Sequence, residues 1–356
     1  MTTTAPNREL ACQLLEDMVR TRSESGNEGE IAALLVERMQ AFGFDSAEVD
    51  AAGNAVGHMG SGPKRLVLLG HMDTVPGEVP VRVEEGILHG RGSVDAKGPL
   101  ATFVTAVARA GACEGWTLTV VGAVEEEAPS SKGARHVAPL YAPEACVIGE
   151  PSGWDAVTLG YKGRLLCDYR YRQGIGHSAG PTRGAPDVGV SFYNALVEAG
   201  DALNEGHERV FDQLTPSLLS IRTSDDGLYE EIQLTVSWRT PLWFDLPKWS
   251  ETLKALAGEE AELKIYGGEQ AYRGDKRNPL VRSFLTSLRA EGAKPRFKVK
   301  TGTADLNIVG PAWGCPILAY GPGDSSLDHT PIEHISLDEY WKAVQVLQGV
   351  IERLTV

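Results

Sequence analysis

Residues 66–76 read LVLLGHMDTVP, and they decide the fold. The unbroken apolar run Leu66 to Leu69 suits a short strand inside a sheet covered on both faces, and Gly70 ends it. His71 and Asp73 follow at the strand end. In an extended segment they point to the same side, because side chains alternate across a strand. In open α/β sheets ligands bind beyond the strand ends. His71 can therefore ligate a metal, with Asp73 holding the far ring nitrogen and fixing its tautomer. Taken alone, the pair also fits a solvated loop.

Outward from this strand, helices and strands alternate. Leu10, Leu14, Leu15 and Met18 recur at helical spacing over 8–20, and Ile31, Leu34, Leu35 and Met39 do so within a helix over 25–39 that Ser25 is placed to cap. Buried strands follow at 118–124 and 146–148, with a helix over 98–110 between the first two strands. This order predicts an α/β domain with a mainly parallel sheet. From Tyr161 the pattern changes to strand 164–172, helix 187–204, strands 218–222 and 232–239, helix 247–257 and strand 263–266. That β-α-β-β-α-β order predicts a small α+β insert of ferredoxin-like type. The α/β pattern resumes with a helix at 279–290, a strand at 316–320 and a helix from Leu337. The expected organisation is one domain from 1–160 and 275–356, interrupted by a second over 161–274.

The chain has 356 residues and a formal net charge of −14. Such a charge disfavours nucleic acid and anionic membrane surfaces as partners. The five cysteines are scattered, with no C-x-x-C pair, which argues against a disulfide framework and a thiolate zinc site. No basic start followed by an apolar core marks a signal peptide, and no apolar run is long enough to span a membrane. The expected compartment is the cytoplasm.

Four further polar groups sit at element ends. GRGSVDAKG (90–98) places Asp95 among three glycines before a helix, to cap it or to bridge two metal ions. Glu125-Glu126-Glu127 directly follows an apolar strand, where carboxylates need partners. Glu150 follows the strand at 146–148. DHTPIEH (328–334) offers Asp328 and His329. Together these residues suit zinc or a similar divalent ion.

The ordered set GHMDTVP, GRGSVDAKG, EEE, GEP, GHSAGP (176–181) and DHTPIEH resembles the co-catalytic zinc metallopeptidases that include aminoacylase, carboxypeptidase G, acetylornithine deacetylase and succinyl-diaminopimelate desuccinylase. The resemblance implies an amide hydrolase with two divalent ions, zinc or cobalt. It implies His71 and Glu150 as ligands of one ion, Asp95 as the bridge, and a glutamate of the triplet with His329 on the second. Asp73 would orient His71. The family uses two adjacent glutamates, the first as general base and the second as ligand. Glu125 as base with Glu126 as ligand is the favoured register, because they follow the strand end directly; Glu126 with Glu127 is the alternative. The insert corresponds to the family's lid and dimerisation domain, which implies a homodimer. His177 corresponds to a lid histidine that stabilises the oxyanion, and Arg239 is placed to bind a substrate carboxylate.

Two longer stretches, KTGTADLN (300–307) and YGPGDSSLDHTPIEH (320–334), are similar to the [LysW]-lysine hydrolase branch of that family. This implies Asp305 and Asn307 as substrate contacts. It also implies release of lysine, and in some members ornithine, from the acidic carrier protein LysW. Ala304 departs from the serine common in the branch. Deacetylation of N-acetyl-ornithine or N-acetyl-lysine is the alternative. Lys294, Arg296, Lys298 and Lys300 would share one face of an extended segment, either to dock an acidic carrier or as an ordinary charged strand edge.

Overall fold

The computed structural model describes residues 5–177 and 179–356. The chain divides into two compact units. The first runs to Gly160 and continues through Arg273–Val299 and Ala304–Val356; the second comprises Tyr161–Tyr272 and Lys300–Thr303.

In the first unit the strand Lys64–His71 lies at the centre of the sheet, between Trp116–Ala123 and Ala145–Gly149, parallel to both. Ile317–Ala319 adds a fourth parallel strand beyond Ala145–Gly149. Antiparallel strands extend the sheet, Ala55–Met59 then Ser46–Val49 on one side and Ala156–Tyr161 on the other, where further short strands pair with Ala156–Tyr161. Every residue of Trp116–Ala123 and of Ala145–Gly149 is buried, so these strands are near-continuous apolar runs, as a sheet covered on both faces requires. Helices Lys97–Ala110 and Leu337–Leu354 pack together and bury Phe103, Val107, Tyr340 and Leu347 with the sheet's Leu66 and Leu68 in one core.

The helix expected from Ser25 begins instead at Gly29 and ends at Ala41. Ser25 caps nothing; its hydroxyl donates to Asp73 Oδ2 at 2.7 Å. Asp95 likewise does not cap the helix Lys97–Ala110, whose N-cap position is Ala96.

The second unit holds the strands Gly163–Gly174, Thr215–Asp225, Tyr229–Thr240 and Glu262–Glu269, with helices Ala185–Leu203 and Leu246–Ala257. Its sheet is antiparallel, with Tyr229–Thr240 paired to both Thr215–Asp225 and Gly163–Gly174, and Glu262–Glu269 on the far edge. Leu165, Cys167, Ile232, Val236 and Trp238 bury against Phe192, Leu196, Trp249 and Leu253 of the helices, giving this unit its own core.

Candidate metal centre

The parallel strands end at one rim of the first unit, and the loops beyond them bring five predicted residues together. His71 ends its strand with its ring buried. Its Nδ1 lies 3.0 Å from the Asp73 carbonyl oxygen and 3.4 Å from Asp73 Oδ1. Its Nε2 lies 3.2 Å from Asp95 Oδ1. The other oxygen of Asp95 lies 3.1 Å from His329 Nε2, so one carboxylate spans two imidazoles. His329 Nε2 is also 2.9 Å from Glu127 Oε1. Ligand atoms of His71, Asp95 and Glu150 lie within 4.8 Å of one another, and so do those of Asp95, Glu127 and His329. Asp95 is common to both groups, as a bridging ligand requires.

The glutamate triplet departs from the favoured register. The strand stops at Ala123, and Glu125 takes a left-handed backbone, φ 55°. This turn sends the Glu125 side chain outward, where Oε2 accepts from Ser130 Oγ at 2.6 Å and Oε1 lies 3.5 Å from Lys132 Nζ. Glu126 and Glu127 are the ones carried to His71, with ligand atoms within 4.8 Å. Only Glu127 reaches Asp95 and His329. The geometry therefore favours the alternative register, Glu126 with Glu127, over Glu125 with Glu126. None of the described residues donates a hydrogen bond to the Glu126 carboxylate, whereas Glu127 is tied to His329.

Asp73 does more than orient His71. It is fully buried, and its Oδ1 accepts the Glu126 amide and its Oδ2 the Glu127 amide, each at 3.1 Å. With Ser25 on Oδ2, the carboxylate ties the helix-entry loop, the His71 strand and the glutamate turn together. The Glu125 amide is held in turn by Glu28 Oε1 at 3.1 Å.

The electrostatics fit divalent cations. Burial alone would raise the Asp73 carboxyl, but the His71 ring, Ser25 and the Glu126 amide hold it below its ordinary range. Burial likewise opposes charge on His71, yet Asp73, Asp95 and Glu126 keep its pKa well above the usual value. Hydrogen bonds to Asp95 and Glu127 raise His329 to about 10. Glu126 is pushed well up by desolvation, with Glu150, Asp305 and Glu127 adding to the effect. Without cations, then, the centre holds protons: too many carboxylates share too little water. Two histidines and several carboxylates are hard and borderline donors that suit zinc or its neighbours.

A sign follows for metal binding. His71 is raised well above its ordinary value and His329 to about 10, so His329 carries a proton at pH 7, and a metal ligand must be an unprotonated ring nitrogen. Loading the metal-free protein at pH 7 is expected to release at least about one proton per chain. Calorimetry in buffers of different ionisation enthalpy measures this, and a proton count near zero contradicts it.

Of the remaining predicted residues, Asp305 lies near enough to the cluster to act on Glu126. Asp305 is buried in the first unit, and its Oδ1 has no hydrogen-bond partner among the described residues. Burial pushes its carboxyl up to about 7 against the pull of His71, with Asp73 adding to the rise. Asn307 turns its Oδ1 back onto the Ala304 amide at 3.0 Å, so it closes its own loop. His177 and Arg239 belong to the second unit. His177 is exposed and its Nδ1 accepts the Ala179 amide at 3.1 Å, while Arg239 Nη1 donates to Thr303 Oγ1 at 2.7 Å. Of the four basic residues at 294–300, three are engaged inside the chain. Arg296 pairs with Asp155 at 2.6 Å, Lys298 Nζ donates to the Ser152 carbonyl at 2.6 Å, and Lys300 lies over the Tyr161 ring.

Residues 67–353 match Peptidase family M20/M25/M40. A "[LysW]-lysine hydrolase" of Deinococcus radiodurans is 46% identical over 359 residues, covering 99% of each chain. A "[LysW]-lysine/[LysW]-ornithine hydrolase" of Saccharolobus solfataricus is 28% identical over 300 residues, covering 81% of each. Among solved structures, an M20 family metallo-carboxypeptidase from Sulfolobus solfataricus superposes with a TM-score of 0.80 at 17% identity, covering 97% of this chain and 99% of that one.

Proposed function

Since this chain belongs to peptidase family M20/M25/M40, we propose that it is a metal-dependent amide hydrolase that releases lysine from the carrier protein LysW. The single observation that carries the substrate reading is the 46% identity, across essentially the whole of both chains, to a [LysW]-lysine hydrolase. What supports the chemistry is the gathering of His71, Asp95, Glu127, Glu150 and His329, with Glu126 beside His71 and Glu127. Ornithine is the expected second product, in keeping with the Saccharolobus relative's name.

In this reading His71 and Glu150 would hold one divalent ion, zinc first and cobalt second. Glu127 and His329 would hold the other, and Asp95 would serve both. When bound, the pair acidifies water and neutralises charge developing on the amide oxygen. Glu126 takes a proton from the attacking water on its carboxylate, then returns it to the departing α-amine. Burial raises its pKa, which suits a group that takes up and returns a proton. Asp73 keeps the His71 Nε2 turned toward the ion and fixes the backbone under Glu126 and Glu127. His177 serves the oxyanion from the second unit, and Arg239 and Asp305 bind the substrate's charged groups. Asp305 suits an ammonium, because its buried Oδ1 has an unused acceptor.

On this reading the enzyme is a cytoplasmic homodimer. All five cysteines are free, and no helix among the described residues is long and apolar enough to cross a membrane. The strand Thr215–Asp225 ends the second unit's sheet and exposes Leu219 by 59% and Ile221 by 51%, an apolar edge that pairing with a second copy would cover. Light scattering at twice the 38.3 kDa chain mass tests the dimer.

The substrate reading is tested by giving the zinc- or cobalt-loaded enzyme LysW-linked lysine, LysW-linked ornithine, N-acetyl-lysine and N-acetyl-ornithine. Carrier-linked lysine is expected to be cleaved fastest by kcat/KM. Faster cleavage of an N-acetyl amino acid contradicts the reading.

A further inference from the structure

Glu333 is fully buried in the first unit and lies within the DHTPIEH stretch, four residues after His329. Its Oε1 accepts the backbone amides of Val94, at 3.0 Å, and Asp95, at 3.1 Å. Its Oε2 accepts from Arg91 Nη1 at 2.7 Å. Arg91 in turn reaches the Gly77 carbonyl at 3.1 Å through Nε and the His329 carbonyl at 3.5 Å through Nη2. The Glu333 carbonyl accepts the Gly90 amide at 3.2 Å. The glycine-rich loop that carries Asp95 is therefore anchored to Glu333, at Arg91, Val94 and Asp95 through its carboxylate and at Gly90 through its carbonyl.

A buried carboxylate is costly unless its oxygens are filled, and here two amides and a guanidinium fill them. The arrangement has a consequence for Asp95, whose two oxygens lie 3.2 Å from His71 and 3.1 Å from His329. A carboxylate shared between two sites tolerates little displacement, since a shift toward one ring is a shift from the other. Its side chain springs from the residue whose amide Glu333 holds. His329 itself sits in a left-handed conformation, φ 61°, with its carbonyl facing Arg91. One ion pair thus braces both the bridging carboxylate and a histidine more than 230 residues away in sequence.

We propose that Glu333, oriented by Arg91, is a positioning residue that fixes Asp95 and His329 relative to each other so that the centre binds its cations tightly. This rests on the reading of Asp95 and His329 as ligands. Residues that hold ligands in this way typically change metal affinity about 10- to 100-fold when altered.

The test is chelator-competition titration of zinc into the metal-depleted full chain, in Glu333→Gln, Arg91→Met and Asp95→Asn variants, each checked for folding by circular dichroism. Glu333→Gln is expected to weaken zinc binding about 10- to 100-fold, with activity regained as zinc is raised. Arg91→Met leaves the two amides satisfied and is expected to weaken zinc by about tenfold; it supplies the answer if Glu333→Gln fails to fold. Combined in one chain, the two changes should cost little more than Glu333→Gln alone, since they break one linked network. If folded Glu333→Gln or Arg91→Met binds zinc within about twofold of the unaltered chain while Asp95→Asn loses it, the positioning role is overturned and the metal centre stands. If Asp95→Asn also keeps its zinc, the metal-centre reading itself fails.

Discussion

Exchanging Glu126 for Gln is expected to lower turnover by at least about a hundredfold, the scale of a lost general base. Metal content should stay near that of the unaltered chain, because Glu126 belongs to neither of the two groups that share Asp95. The change leaves the backbone amide at position 126 free to donate to Asp73, so the turn that places Glu127 should persist. The comparison that gives this result its meaning is Glu125→Gln. Glu125 faces Ser130 and Lys132, so its loss should leave turnover within about twofold, as for most surface changes. If Glu125→Gln is the slow enzyme and Glu126→Gln the normal one, the register described here is wrong. Steady-state kinetics on carrier-linked lysine, with metal analysis of the same samples, decides it.

Removing the shared ligand should cost still more. Asp95→Ala takes one oxygen from each of the two ligand groups and leaves Glu126, Glu127 and Glu150 facing one another without it. Cation stabilisation of this kind of reaction is worth several kcal/mol, so turnover should fall by about a thousandfold. Metal content should drop below that of the unaltered chain. The melting temperature should rise less on adding zinc, because a ligand stabilises a fold only as far as it binds. An Asp95→Ala protein that retains both ions and most of its activity would remove the bridging role.

The strand at the heart of the sheet was legible because burial on both faces leaves only one kind of sequence, and Leu66 to Leu69 has it. The ordered elements of the second unit were legible for the complementary reason: half-covered strands alternate, and Arg164 to Arg172 and Ile232 to Arg239 do so. His71, Asp95, Glu150 and His329, which the structure brings together, could be named because each lies at an element end or within two residues of one. The glutamate register could not be read this way. It depends on one residue, Glu125, turning into the left-handed region, and a glutamate gives no sign of that, unlike a glycine. The only hint was that Val124 extends the apolar run, and it is indeed buried.

Ser25 and Glu333 were missed for another reason. Each acts through a partner far away in sequence, Asp73 in one case and the Asp95 loop in the other. Local signals made Ser25 a helix cap and left Glu333 without a role. The basic run at 294–300 shows the converse. Its alternation suggested a face for a partner, but Arg296, Lys298 and Lys300 are occupied by Asp155, Ser152 and Tyr161, which charge patterning alone does not reveal.

Anomalous diffraction at the zinc edge, on crystals grown with zinc, examines the core assignment with the fewest intervening assumptions. Two peaks about 3.5–4 Å apart are expected, the usual spacing of paired catalytic ions. One should contact His71 and Glu150, the other Glu127 and His329, with Asp95 touching both and Glu126 facing the gap. A single peak remote from Asp95, or a pair ligated by Glu125, would contradict the account.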